Sequence, residues 1–162
     1  MKNILVIDNY DSFTYNLVHI LHELGYENNL RIERNDTFEL DEVEQFDQIL
    51  LSPGPGVPSN AGLMPEVIRR FAPSKNILGV CLGHQGIGEI FGSRLRNLDE
   101  VYHGIVTKIN ITQQDELFRG IPSSFEVCRY HSWVIDQEQV GSDLTVTSVA
   151  ENGVVMSVKD NK

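Results

Sequence analysis

Between Asn3 and Val80 short apolar runs alternate with helical patterns, and this alternation limits the fold more than any other feature of the chain. "NILVID" (Asn3 to Asp8) reads as a buried strand, "NLRIER" as a second and weaker one, "DQILLS" (Asp47 to Ser52) as a third and "NILGV" (Asn76 to Val80) as a fourth. A helix is expected from about Asp11, with Phe13, Leu17, Ile20, Leu21 and Leu24 on one face, Asp11 or Ser12 as its cap and Gly25 as its stop. Another is expected around Met64 to Phe71. Strands that alternate with helices imply parallel strands joined by crossovers. The expected fold is therefore α/β, an open and mostly parallel twisted sheet with flanking helices.

After about Ser93 the texture changes. "VYHGIVTKINIT", "SFEVCRY", "LTVTSVA" and "GVVMSVK" are strand-like, and Asn152-Gly153 between the last two is a hairpin signal. These segments are expected to supply extra antiparallel strands that extend or flank the first sheet. No repeat, low-complexity tract or linker interrupts the chain, so residues 1–162 read as one domain.

With 41% hydrophobic residues in 162, the chain can close a core without staples. Its formal net charge of -10 argues against a phosphate-backbone partner, so no nucleic acid is expected. The short apolar run after Lys2 falls far below the roughly 18 residues that span a bilayer, and no later stretch approaches that length. No membrane partner and a cytoplasmic location are expected. Cys81 and Cys128 lie far apart without C-x-x-C spacing, which gives no support to a disulfide framework or a metal site.

Ligands of open α/β sheets gather at the carboxyl ends of the strands. Asp8 to Ser12 follow the first strand, "SPGPG" follows the third, and Cys81 follows the fourth. Gly79 and Gly83 flank Cys81 in a G-x-C-x-G pattern, the cysteine counterpart of the serine nucleophile elbow. A helix "LGHQGIGEIFG" then points its amino terminus at the sulfur, which favours thiolate over thiol. A buried filler is the plain alternative for a free cysteine, but a filler does not explain the paired glycines. In "SPGPG", Pro53 and Pro55 fix φ and leave no donor, while Gly54 and Gly56 allow backbone to approach a ligand. Such a rigid turn suits an oxyanion hole. Alone it would read as a surface turn.

Four stretches, "VIDNYDSFTYNL", "LSPGPGVPSNAG", "GVCLGHQGIGEIFG" and "SSFEVCRYHSWVI", resemble in order the motifs of the class I glutamine amidotransferases. The resemblance covers nearly the whole chain and is to the small glutaminase subunits (component II) of anthranilate and aminodeoxychorismate synthases. It implies hydrolysis of L-glutamine to glutamate and ammonia through a thioester, with ammonia passed to a chorismate-binding synthase subunit (component I). It assigns the nucleophile to Cys81 and the oxyanion hole to the backbone N–H groups of Gly56 and Leu82. Substrate contacts fall to Gly54, Pro55, Gly56, Gln85, Ser132 and Trp133. No cofactor or metal is implied. The family usually has Leu where Trp133 stands; that contact is largely main-chain, so the change bears on pocket fit more than on chemistry.

A thiol nucleophile needs a base that a third group orients. In the family both come from an "FHPE"-type motif after the strand that corresponds to "GVVMSVK", and residues through Lys162 contain no such motif. His84, His131, His103, His19 and His22 read as ordinary surface or satisfied histidines, since no carboxylate stands at a motif spacing from them. The expectation is an amidotransferase domain that is C-terminally incomplete, with an impaired glutaminase. The alternatives are a non-catalytic homologue that binds and regulates a synthase partner, or a different α/β fold with an exposed thiol, such as another class of cysteine hydrolase or a flavodoxin-like binder. Tyr10 and Phe13 are candidate anchors for the partner, and Cys128, inside "SFEVCRY", is expected to be buried. The choice between anthranilate and aminodeoxychorismate lies with the partner subunit.

Overall fold

The strand that the sequence marks most clearly, β1 (Ile4–Asp8), is buried at every residue because it lies inside a four-stranded parallel sheet. The structure is a computed structural model that describes residues 2–162. The chain divides into two compact units, Met1–Ile90 and Phe91–Lys162. The parallel sheet belongs to the first, in the order β2 (Leu30–Arg34), β1, β3 (Gln48–Leu51), β4 (Asn76–Gly79). Ile4 and Val6 of β1 pack with Leu50 of β3 against Val18 of α1 (Thr14–Glu23). Leu5, Ile7, Ile49 and Leu51 project to the opposite face, as the two-residue period requires, and are buried there. Also buried are Met64, Val67, Ile68 and Phe71 of α2 (Met64–Phe71), spaced to fall on one helical face. α3 (Leu82–Ile90) packs on α2, β3 and β4. β4 closes one edge of the sheet, and its Leu78 is 45% exposed.

Helix α1 corrects part of the sequence reading. Its buried face is Thr14 and Val18, with Leu17 and Leu21 packed beside them, whereas Phe13, Ile20 and Leu24 are exposed. At about 100° per residue the two sets form neighbouring stripes, and the sheet accepts the one that carries the small Thr14. The stop follows the expectation and the start does not: the cap position is Phe13, with no side-chain cap bond, because the helix begins at Thr14, one residue later than a Ser12 cap and two later than an Asp11 cap would place it. Asp11 Oδ1 accepts the Phe13 N–H at 2.7 Å just ahead of the helix. Gly25, at φ 86°, ends it: its N–H reaches His22 O at 2.9 Å and Tyr26 N–H reaches Leu21 O at 3.0 Å, the paired bonds of a Schellman stop.

The second unit is built of antiparallel strands. One sheet has the order β10 (Val155–Asp160), β9 (Leu144–Ala150), β6 (Ile105–Ile111), β7 (Ser124–Arg129). A two-stranded sheet pairs β5 (Leu95–Asn97) with β8 (Trp133–Ile135). Among the described residues neither sheet pairs with the parallel one, so the later strands do not extend it. "VYHGIVTKINIT" becomes strand only from Ile105. The Asn152-Gly153 signal marks a real hairpin, with Gly153 at φ 79° and its N–H bonded to Ala150 O at 2.9 Å. Ile109, Val134, Ala150 and Val154 form the core of this unit.

Candidate functional site

Between the end of β4 and the start of α3 only Val80 and Cys81 reverse the chain. Cys81 sits at φ 53°, one of two non-glycine residues at positive φ among the described residues. For a residue with a side chain that conformation costs about 1–2 kcal/mol, and its surroundings must enforce it. The flanking glycines show how. A Cβ on Gly79 would lie 2.4 Å from the Gly83 carbonyl carbon and 2.6 Å from His84 N. One on Gly83 would lie 2.5 Å from Leu51 Cβ and 2.6 Å from Leu51 O. Strand and helix backbones therefore touch, and Val80 N–H to Leu51 O (2.9 Å) and Gln85 N–H to Cys81 O (2.9 Å) close the turn on both sides. Cys81 is left at its tip, half-buried and free of any disulfide.

The "SPGPG" loop is held from beneath. Asn9, only 2% exposed, donates its backbone N–H to Ser52 Oγ and its Nδ2 to Ser52 O, each at 2.9 Å. Asn35 Nδ2 donates to Asn9 Oδ1 at 3.0 Å, and Ser52 Oγ donates to Pro53 O at 2.6 Å. The residues just beyond β1, β2 and β3 are thus tied together. Gly54 rests on this cluster: a Cβ there would be 2.5 Å from Asn9 Cβ and 2.6 Å from Leu82 Cδ2, which also brings the loop against the elbow. Gly56, at φ 75°, has open space around it. The other positive φ, 61°, belongs to Tyr10, whose hydroxyl donates to Asp36 Oδ1 at 2.7 Å while the Arg34 guanidinium lies 4.8 Å from its ring centre.

Electrostatics at the thiol run against the sequence expectation. Burial pushes the Cys81 pKa up; the Leu82 N–H directed at the sulfur opposes the rise, and the Asp11 carboxylate adds to it. The helix start does not outweigh desolvation next to a carboxylate. Cys128 is exposed rather than buried. The pleat explains it: Phe125 and Val127 face the core, so Cys128 falls on the outer face with Glu126.

Cys81, Leu82, Gln85 and the Gly54, Pro55, Gly56 loop all lie in the first unit, with Gln85 buried one turn into α3. Ser132 and Trp133 lie in the second, where Ser132 O accepts Leu98 N–H at 2.7 Å and Trp133 opens β8. His131 is also there. Arg129 Nε donates to its Nε2 at 3.3 Å, so Nδ1 carries the proton and donates to Trp133 O at 3.1 Å. Burial lowers the His131 pKa, and Arg129 lowers it further. Asn35 escaped the sequence reading of the site, and Asn9 and Ser52 fell inside its stretches Asp8 to Ser12 and "SPGPG" without a role of their own. Their signal was position alone, polar residues at the carboxyl ends of successive parallel strands. Among the described residues no group of three or more His, Cys, Asp or Glu is placed to hold a metal ion, and no helix is long and apolar enough to cross a membrane.

A family model described as glutamine amidotransferase class-I matches residues 5–162, a range that runs through both units. An anthranilate synthase component 2 from Pyropia yezoensis is 44% identical over 163 residues, covering 98% of this chain and 85% of the relative. An aminodeoxychorismate/anthranilate synthase component 2 from Bacillus subtilis (strain 168) is 41% identical over 160 residues, covering 98% and 81%. In fold, the chain is similar to a Thermoplasma acidophilum protein whose crystal structure is described as that of a GMP synthase subunit, with a TM-score of 0.86 and 24% identity over 100% of this chain and 79% of that one.

Proposed function

Since the chain belongs to the class I glutamine amidotransferases, we propose that it is the glutaminase component of an anthranilate or aminodeoxychorismate synthase. One observation carries this reading: a cysteine held at φ 53° between a parallel strand and a helix whose backbones touch through two glycines. In the proposed reaction Cys81 Sγ attacks the side-chain amide carbon of L-glutamine. The C–S bond forms, the C–N bond breaks, and ammonia leaves with the thiol proton. Water then releases glutamate from the thioester. The N–H groups of Leu82 and Gly56 stabilise the oxyanion, and Gly54, Pro55 and Gln85 contact the substrate. Leu82 N–H already faces the sulfur, and the open space at Gly56 leaves room for a ligand.

Two relatives named component 2 support a partner, a chorismate-binding synthase subunit. Tyr10 and Phe13, 49% and 44% exposed beyond β1, are the aromatic groups offered to it. Incubation with L-glutamine followed by mass spectrometry tests the reading. A γ-glutamyl adduct on the Cys81 peptide, absent from Cys81→Ala, is the expected result. No adduct, together with ammonia release equal to that of Cys81→Ala, would refute it.

A further inference from the structure

We propose that Asn9 is a positioning residue for the oxyanion-binding loop, a role that rests on the glutaminase reading above and goes one step beyond it. The loop cannot anchor itself: Pro53 and Pro55 have no N–H to donate, and the glycines between and after them have no side chains. Its anchors must come from outside, and Asn9 supplies them. Asn9 meets Ser52 with both its backbone N–H and its Nδ2, and Ser52 Oγ passes the contact on to Pro53 O. Gly54 then lies directly over Asn9 Cβ. Asn35, from the end of β2, fixes the amide orientation by donating to Asn9 Oδ1 at 3.0 Å.

An apolar side chain of this size would fill the same space beside Met64. It would leave Ser52 O and Asn35 Nδ2 without these bonds. The next residue, Tyr10, takes the left-handed conformation at φ 61°, so the turn that aims Asn9 under the loop is strained as the elbow is. Oxyanion donors are effective when they are fixed before charge develops. The cluster fixes the strand end from which the Gly56 donor is carried.

The test separates a reaction that builds an oxyanion from one that does not. With L-γ-glutamyl-p-nitroanilide, Cys81 acylation forms the C–S bond and breaks the C–N bond. p-Nitroaniline, a weak base, departs with the thiol proton, and its burst is read by absorbance. Alkylation of Cys81 by iodoacetamide displaces iodide and builds no oxyanion. Asn9→Leu, which keeps the volume and removes the Nδ2 donors without adding charge, should slow the burst about 10- to 100-fold and leave the alkylation rate of the Cys81 peptide unchanged. Ser52→Ala should do the same to a lesser degree, and it decides the matter if Asn9→Leu does not fold. Equal loss in both reactions would mean Asn9 only stabilises the fold, and unchanged bursts would also overturn the proposal. If the unaltered chain releases p-nitroaniline no faster than Cys81→Ala, the glutaminase reading itself falls and this role with it.

Discussion

Two glycines of the same helix should respond unequally to alanine. A Cβ on Gly83 would sit 2.5 Å from Leu51 Cβ and 2.6 Å from Leu51 O, atoms that cannot move without moving β3. Restoring ordinary contact requires α3 to withdraw by about 1 Å, and overpacking against backbone belongs at the upper end of the usual range, about 3 kcal/mol. Alanine returns at most about 1 kcal/mol in helix propensity, so Gly83→Ala should be destabilised by about 2 kcal/mol. For a chain of 162 residues that lowers Tm by roughly 4–8 °C. On Gly86 the new Cβ would meet Met64 Cε at 2.8 Å and Ile68 Cδ1 at 3.1 Å, both ends of flexible side chains. Met64 can swing aside at small cost and the propensity gain offsets it, so Gly86→Ala should stay within about 2 °C of the unaltered chain. Thermal unfolding followed by far-ultraviolet circular dichroism reads both. Similar shifts for the two substitutions would refute the claim that strand and helix backbones meet at Gly83.

The two thiols and one ion pair offer further checks. Iodoacetamide near neutral pH should label exposed Cys128 before Cys81, and the Cys81 rate should keep climbing at a pH where an ordinary thiol has levelled off, because burial raises its pKa. Faster labelling of Cys81, read by peptide mass spectrometry, would show that the helix start outweighs desolvation. Asp115 accepts Leu117 N–H at 2.9 Å and pairs with Lys159 at 2.8 Å, and Lys159 first, then that N–H, hold its carboxyl below the ordinary value. A depressed carboxyl stabilises the fold above its unfolded pKa and loses that contribution as pH falls through the folded one. Asp115→Ala should therefore cost about 1 kcal/mol near neutrality, and the gap to the unaltered chain should close in acid below the ordinary carboxylate range. A gap that persists in acid would refute the assignment.

Much of the first unit was legible because its signals are local. β1, β3 and β4 are short apolar runs, and Gly25 stops α1 where it stands. The exposed stripe of α1 was not legible. Phe13, Ile20 and Leu24 satisfy the helical period as well as Val18 does, and only the sheet chooses between them. β5 and β8 are three residues each, too short for a period to register. At the site, G-x-C-x-G stood out as a pattern, but its cause is a contact between Gly83 and Leu51, which lie on different elements. Asn9, Asn35 and Ser52 are each unremarkable loop residues in sequence. Their bonds span 26 and 43 positions, and nothing short of the fold brings them together. The exposure of Cys128 could have been read from Glu126, two residues earlier on the same face of the strand.

The left-handed turn at residue 81 also narrows the chemistry that this scaffold can host. Serine carries its oxygen on an unbranched Cβ, as cysteine carries its sulfur, and both fit a φ of 53° at similar cost. Threonine adds a methyl at Cβ, and a β-branched residue at positive φ is a true conformational outlier. Among side chains with a nucleophilic atom one bond beyond Cβ, the elbow therefore admits a thiol or a primary alcohol and rejects a secondary one. The backbone has made that selection before any substrate arrives.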